Sequence, residues 1–335
     1  MQNFVNKRWS LGLAAIALAA VMFAGFNWAH VSAGTVITIP PASSARVIGV
    51  LLKQQGVIQS ERLFQARLWW CGCASNLHAG NYAFSGTWSM GGVIERLRTG
   101  GDPLAQRVTI PEGLRSDQIA ALLVARGVLQ SPQEFLQIVR TPQQSLVEQF
   151  PWLSQRPSDQ GLEGFLFGDT YEFLPNTPAR NLVEQLLSTF GTRVITLFFG
   201  DGAGSAAQLY PTLVLASIVE LEVQTPSDRA MVADVFQKRL AVGIPLQADS
   251  TVNFITGRND PRARLDDTLI SSPYNTYRNR GLPPSPISNP SLASIRAVVE
   301  PQKNPYYFFL TDAEGGVHYA RTLEEHQRNR VQFLK

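Results

Sequence analysis

Residues 213–223 read LVLASIVELEV. Eight of the eleven are aliphatic, and on a helix they fall on every side rather than along one stripe. A helix apolar all round belongs in a protein interior, so the segment predicts a buried helix. Yet Glu220 and Glu222 stand inside it, and carboxylates are almost never fully buried without a partner. Apolar neighbours, the negative end of a helix and the like charge of Glu222 would together favour a protonated Glu220. A carboxylic acid that keeps its proton near neutral pH suits a general acid acting on a glycosidic oxygen. An exposed helix edge, or a pair with Arg229 or Arg239, would explain the same glutamate without chemistry.

The flanks of this helix are rich in structure signals. Helices are expected at 178–198, 208–224 and 226–242, the last amphipathic and closed by Gly243. Downstream, LISSPYNTYRNRGLPPSPISNPS (269–291) is a long loop with five prolines. Loops of that length within compact domains are usually functional or disordered, and its tyrosines and asparagines favour function. A short helix (290–299) and a strand, YYFFLT (306–311), follow. Upstream, LEGFLFGDTYEFLPNTP (162–178) mixes aromatics, glycines and prolines and excludes a long helix.

Nearer the N-terminus one design occurs twice. SSARVIGVLLKQQGVIQSERLF (43–64) and RSDQIAALLVARGVLQSPQEFL (115–136) are offset by 71 residues. Both show an apolar-periodic helix, a Gly-Val-apolar-Gln-Ser stop and a later phenylalanine, so that Gly56 matches Gly127 and Phe64 matches Phe135. Ser116 is a plausible N-cap and Gly127 a left-handed C′ glycine. With the strand TVITIP (35–40) and the turn, strand and helix of residues 77–101, the span 35–108 reads as a small α+β module. Residues 109–335 form a larger α+β domain.

The first residues are of another kind. Trp9–Ala29 is 21 residues without a charge, about 31 Å as a helix, which matches a bilayer's hydrocarbon core. Lys7 and Arg8 precede it and no basic residue follows until Arg46. The positive-inside rule then leaves residues 1–8 in the cytoplasm and exports the rest. A cleaved signal peptide is the competing reading, because Val31-Ser32-Ala33 resembles a cleavage site. Without Lys7 and Arg8, 27 basic residues face 26 acidic ones, which leaves no electrostatic footprint for nucleic acid. A disulfide between Cys71 and Cys73 would be strained across one residue, so two thiols are expected. His30, His78, His318 and His326 lack metal-ligand spacing, and no metal or cofactor is expected. His326 is expected to cap or pack at a C-terminal helix.

Other polar residues have two readings each. Gln247, Asp249, Ser250 and Thr251 follow a helix, where they would hydrogen-bond a sugar or cap a turn. Tyr274, Asn275, Thr276 and Tyr277 would stack on and bind a glycan, or simply form a proline-rich turn. Glu163 and Asp169, beside aromatics, are a second carboxylate site or loop ties.

Taken in order, IPEGLRSDQIAALL, EGFLFGDTYEF, LASIVELE, VFQKRLAVGIPLQADSTV and SPYNTYRNRGLPPSPISNPS resemble the endolytic murein transglycosylases of the YceG-like type. The resemblance covers roughly residues 35–335. It implies an inner-membrane anchor, a LysM-like module and a periplasmic catalytic domain that cuts MurNAc–GlcNAc bonds in nascent peptidoglycan, forming 1,6-anhydroMurNAc and ending strand elongation. It implies Glu220 as the catalytic acid and then base, with Glu163, Asp169, Glu222, Gln247, Asp249, Thr251 and residues 274–277 as substrate-binding candidates. Peptidoglycan is the implied partner, with cell-wall synthases as possible companions. The chain departs from the family pattern at Gly168, Leu221, Lys238 and Ser250, and Leu221 in place of a lysine is expected to make the surroundings of Glu220 more apolar. A binding scaffold without cleavage is the alternative from another class. Pyridoxal phosphate chemistry has little to stand on, since only Lys238 and Lys303 lie in the domain before its C-terminus.

Overall fold

The structure is a computed structural model and describes residues 28–101, 105–200, 208–258 and 264–334. The chain divides into two compact units, the first through Ala105 and the second from Gln106. The expected membrane span lies outside the described residues except for Trp28 and Ala29, which open a strand.

The first unit runs β1 (Trp28–Ile39), α1 (Ala45–Gln54), α2 (Glu61–Cys71), β2 (Gly80–Ser89) and α3 (Met90–Thr99). Strands β1 and β2 pair antiparallel from Trp28↔Ser89 to Ile39↔Gly80, with a register shift between Val31 and Thr35. Ser44, Ser60 and Ser89 cap the three helices, each accepting a backbone N–H through its hydroxyl. Their apolar faces meet in one core that includes Ile48, Leu52, Phe64, Tyr82, Phe84 and Val93. Cys71 and Cys73, expected as two thiols, are joined in a disulfide. Gly72 between them has a φ of 63°, and this left-handed turn brings the flanking Cα atoms to 5.2 Å, a span that a disulfide bridges.

The second unit begins with β3 (Gln106–Thr109), α4 (Ser116–Ala125), α5 (Gln133–Arg140) and α6 (Gln144–Gln149). Next come β4 (Thr170–Phe173), α7 (Ala179–Phe190, prolonged to Phe199 by a π-helical stretch), α8 (Leu209–Glu222) and α9 (Pro226–Ala241). It closes with α10 (Asp249–Thr256), α11 (Leu292–Val299), β5 (Phe308–Thr311), β6 (Val317–Ala320) and α12 (Leu323–Phe333). Strand β3 pairs antiparallel with β4 and β5 with β6, so two small ribbons decorate a helical body. Neither β6 nor α10 was expected from the sequence; Asp249, expected just after a helix, stands in the first turn of α10.

Helix α8 is the centre of this unit. Every residue from Leu213 to Val219 is buried, Ser217 included. The Ser217 hydroxyl donates to the Val214 carbonyl and accepts the Ile287 N–H at 3.0 Å. One polar side chain thus threads the proline-rich loop along an otherwise apolar helix. Among the described residues, Ala179–Phe199 is long and apolar enough to cross a membrane. Its Leu182, Val183, Leu186, Leu187 and Phe190 are buried in the second unit's core, which accounts for that apolarity without a bilayer.

Candidate active site

Glu220 leaves the interior in the last turn of α8, just before the helix ends at Glu222. Its side chain is 7 % exposed and meets the Arg229 guanidinium at 2.8 Å. Arg229 reaches it from α9, whose start is fixed by the Thr225 cap and by Pro226 in the first turn. The second carboxylate oxygen accepts the Ser291 N–H at 2.8 Å and the Ser291 hydroxyl. Ser291 is also the N-cap of α11, so the carboxylate sits at the positive end of a helix. The apolar enclosure expected around Glu220 is therefore corrected. Leu221, the residue expected to supply it, is 46 % exposed, and Arg229 supplies the cation.

A second glutamate lies beside the first. In Pro111-Glu112-Gly113, Gly113 has a φ of 76°, and a Cβ there would stand 3.3 Å from Glu220 Cγ. Backbone freedom and close approach both require glycine at that position. The Glu112 carboxylate accepts the Leu292 N–H, and partial burial with the nearby Glu220 charge raises its pKa. In the IPEGL motif nothing about Glu112 itself marks it as a site residue. The signal was the glycine after it, which lets the chain press against the Glu220 side chain.

Asn289 ties these pieces together. Its side-chain oxygen accepts the N–H groups of Gly164 and Leu166 at 2.8 and 2.9 Å. Its amide donates to the Leu114 carbonyl at 2.9 Å and to Glu163 at 2.7 Å. Glu163 in turn accepts the N–H and hydroxyl of Ser116 at the start of α4. Burial pushes the Glu163 pKa up to about 7, the Ser116 bonds opposing it. Arg115 rather than Ser116 is the N-cap residue of this helix. The Ser116 hydroxyl, expected to accept a backbone N–H of the first turn, donates instead to this carboxylate from a distant loop, which also accepts the Ser116 N–H. Nearby, Gly164 has a φ of 90°, and a Cβ there would run into Pro286.

Glu220 opens onto a cleft of about 920 Å³ within the second unit. Glu112, Glu222, Gln247, Asp249 and Tyr277 share its walls. Glu222 accepts the Ser250 N–H and hydroxyl at 3.1 and 2.7 Å, and burial raises its pKa to about 7. The Tyr277 hydroxyl donates to Asp249 at 2.6 Å, and Arg239 donates to Gln247 at 2.6 Å. Gln247 has a φ of 52°, an uncommon conformation for a residue with a side chain.

The other proposed binding residues do not line the cleft. Thr251 and Thr276 are buried and share a hydrogen bond of 2.9 Å. Asn275, also buried, donates to the carbonyls of Thr268 and Ile270. Tyr274 bonds Ser285 and packs on Phe254. Asp169 pairs with Arg193 at 3.2 Å. These residues build the loops that carry the cleft wall.

Residues 37–332 match the YceG-like family. The chain belongs to that family. It is 32 % identical over 305 residues to a Bacillus subtilis protein named endolytic murein transglycosylase, covering 89 % of this chain and 84 % of that one. A Streptococcus pneumoniae protein of the same name is 29 % identical over 317 residues, and there the match spans 57 % of the longer relative. The 2.6 Å crystal structure of a YceG-like protein from Listeria monocytogenes superposes with a TM-score of 0.61 at 29 % identity, covering 88 % of this chain and 98 % of that one.

Proposed function

We propose that the chain cleaves peptidoglycan as an endolytic murein transglycosylase. It cuts the β-1,4 bond between MurNAc and GlcNAc within a strand and leaves a 1,6-anhydroMurNAc end. The observation that carries this reading is Glu220, a carboxylate held by Arg229 and Ser291 on the wall of a cleft of about 920 Å³. The name borne by relatives that match most of the chain supports it.

In this reading Glu220 gives its proton to the leaving glycosidic oxygen as the C1–O bond breaks. The resulting carboxylate takes the proton of the MurNAc C6 hydroxyl, whose oxygen bonds to C1. One group serves both steps, and no water is consumed. The reaction is an intramolecular substitution in which the C6 oxygen displaces the leaving strand from C1, unlike hydrolysis by two carboxylates. Partial burial and the nearby Glu220 charge hold the Glu112 pKa above its ordinary value. Arg229 and the α11 N-terminus hold the carboxylate in one place through both steps.

Mass spectrometry of the products from un-cross-linked glycan strands tests the reaction type. Anhydro ends are expected; reducing ends would mean that water is the nucleophile and that the enzyme is a hydrolase. We also infer that residues 9–29 anchor the chain in the inner membrane with the cleft on the periplasmic side, near cell-wall synthases. Extraction of the full chain by high salt without detergent would refute the anchor.

A further inference from the structure

Four arginines line the cleft: Arg115, Arg239, Arg258 and Arg330. Two have carboxylate partners, Arg115 with Asp117 and Arg258 with Asp267. Among the described residues, neither Arg239 nor Arg330 has an ion-pair partner. Arg239 is 5 % exposed, and its Nε is buried without a hydrogen-bond partner. A buried guanidinium with no counter-charge is costly unless something completes it.

The same corner of the cleft holds His326, whose Nδ1 is also buried and unpartnered. The Phe308 ring lies under both groups, 5.5 Å from the Arg239 guanidinium and 5.5 Å from the imidazole. Burial and the charges of Arg330 and Arg239 hold the His326 pKa below its ordinary value. The imidazole is thus uncharged at neutral pH, and the positive charge of this corner comes from the two arginines. Glu220, Glu222 and Asp249 already have donors of their own.

We propose that Arg239, His326 and Arg330 form a subsite for a carboxylate of the substrate. Resting on the peptidoglycan reading, the group it takes is a free carboxylate of the stem peptide, since the sugar rings of an intact strand carry none. The acidic end of the cleft then acts on the glycosidic bond while this cationic corner fixes the register of the strand by its side branch. Planar guanidinium donors suit a carboxylate, and Phe308 supplies an apolar floor for the adjoining chain.

The test compares strands with free stem carboxylates and the same strands after amidation of those carboxylates. Binding is read with the full-length Glu220→Gln chain, which cleaves neither, and cleavage is read with the full-length chain carrying Glu220. Amidation is expected to raise Kd about tenfold, the effect of losing one or two charge-assisted hydrogen bonds. Arg330→Gln, on the exposed side of α12, is expected to raise Kd for the free-carboxylate strand to a similar degree and to leave the amidated strand unchanged. It should also raise KM while leaving kcat unchanged. Equal effects of Arg330→Gln on both strands, or indifference to amidation, would overturn the subsite. Carboxylate-dependent binding without cleavage by the chain carrying Glu220 would support the subsite and sink the reaction assigned above.

Discussion

In residues 43–64 a helix stops at Gly56, whose φ is 71°, and the N–H of Val57 and of Ile58 return to the Leu52 carbonyl. In residues 115–136 the stop falls at Gly127, with a φ of 68°, and Val128 and Leu129 return to Leu123 in the same way. The buried sets correspond as well: Ile48, Leu52, Val57 and Phe64 in one, Ile119, Leu123, Val128 and Phe135 in the other. The N-terminal ends differ. Ser44 closes the first copy by itself. The second is closed by Glu163, which Asn289 binds, two residues from the serine that holds Glu220. The apolar plan is common property, and function enters through the polar bonds at one end of one copy.

Truncating the matched phenylalanines tests the shared part. Phe64→Ala and Phe135→Ala should each cost about 3–5 kcal/mol, seen as lowered midpoints in urea. At temperatures where both variants remain folded, only Phe135→Ala should reduce cleavage. Equal losses of activity would erase the distinction between the copies.

Asn289→Ala cuts the bond that sets them apart. It leaves the buried N–H groups of Gly164 and Leu166 without their acceptor, at a cost of roughly 2–3 kcal/mol. Cleavage should fall about 100-fold, because the segments around Glu220 lose register. A stable Asn289→Ala enzyme with full activity would mean that the staple is incidental.

Glu163 also gives the second copy a pH signature. Its pKa is about 7 in the folded chain against an ordinary value of 4.5. Between these values the folded state holds the extra proton. Its stabilising contribution is full below pH 4.5 and is lost as pH rises through 7, on the order of 3 kcal/mol. Glu222 adds a loss of the same sign. Thermal midpoints should therefore fall from pH 5 to pH 8, and Glu163→Gln should flatten part of that slope. An unchanged slope would exclude Glu163 as a source.

The smallest effect is the most symmetrical. Alanine at Gly56 or Gly127 should cost about 1 kcal/mol or somewhat more, since both take a left-handed φ with open space beyond the missing Cβ. A clearly larger cost at Gly127 would show that its turn is coupled to the cleft.

The apolar part of this account was legible in the sequence. The all-round apolarity of 213–219 announced a buried helix, and the matched Gly56 and Gly127 announced both stops. The strand pairings were not legible, because four-residue ribbons such as β5 and β6 carry too little alternation to stand out. The wall of the cleft was half legible. Glu220, Glu222, Gln247, Asp249 and Tyr277 face it, whereas Thr251, Asn275 and Thr276 turn their polar atoms onto neighbouring backbone. Sequence cannot tell these apart, since a buried threonine that serves a carbonyl looks like one that serves a sugar. Glu112 and Ser291 escaped notice for the opposite reason. Each sits in a motif whose glycine or proline draws the eye, and only the fold brings both to Glu220.

The most direct test sets the full-length chain against its Glu220→Gln and Glu222→Gln variants on un-cross-linked glycan strands, with product ends and rates read by mass spectrometry. Anhydro-ended fragments from the unaltered chain, a drop of roughly 10²–10⁴-fold or more for Glu220→Gln and a much smaller one for Glu222→Gln are predicted. Undiminished cleavage by Glu220→Gln, or a larger loss from Glu222→Gln, would contradict the assignment of Glu220 as the acid and base.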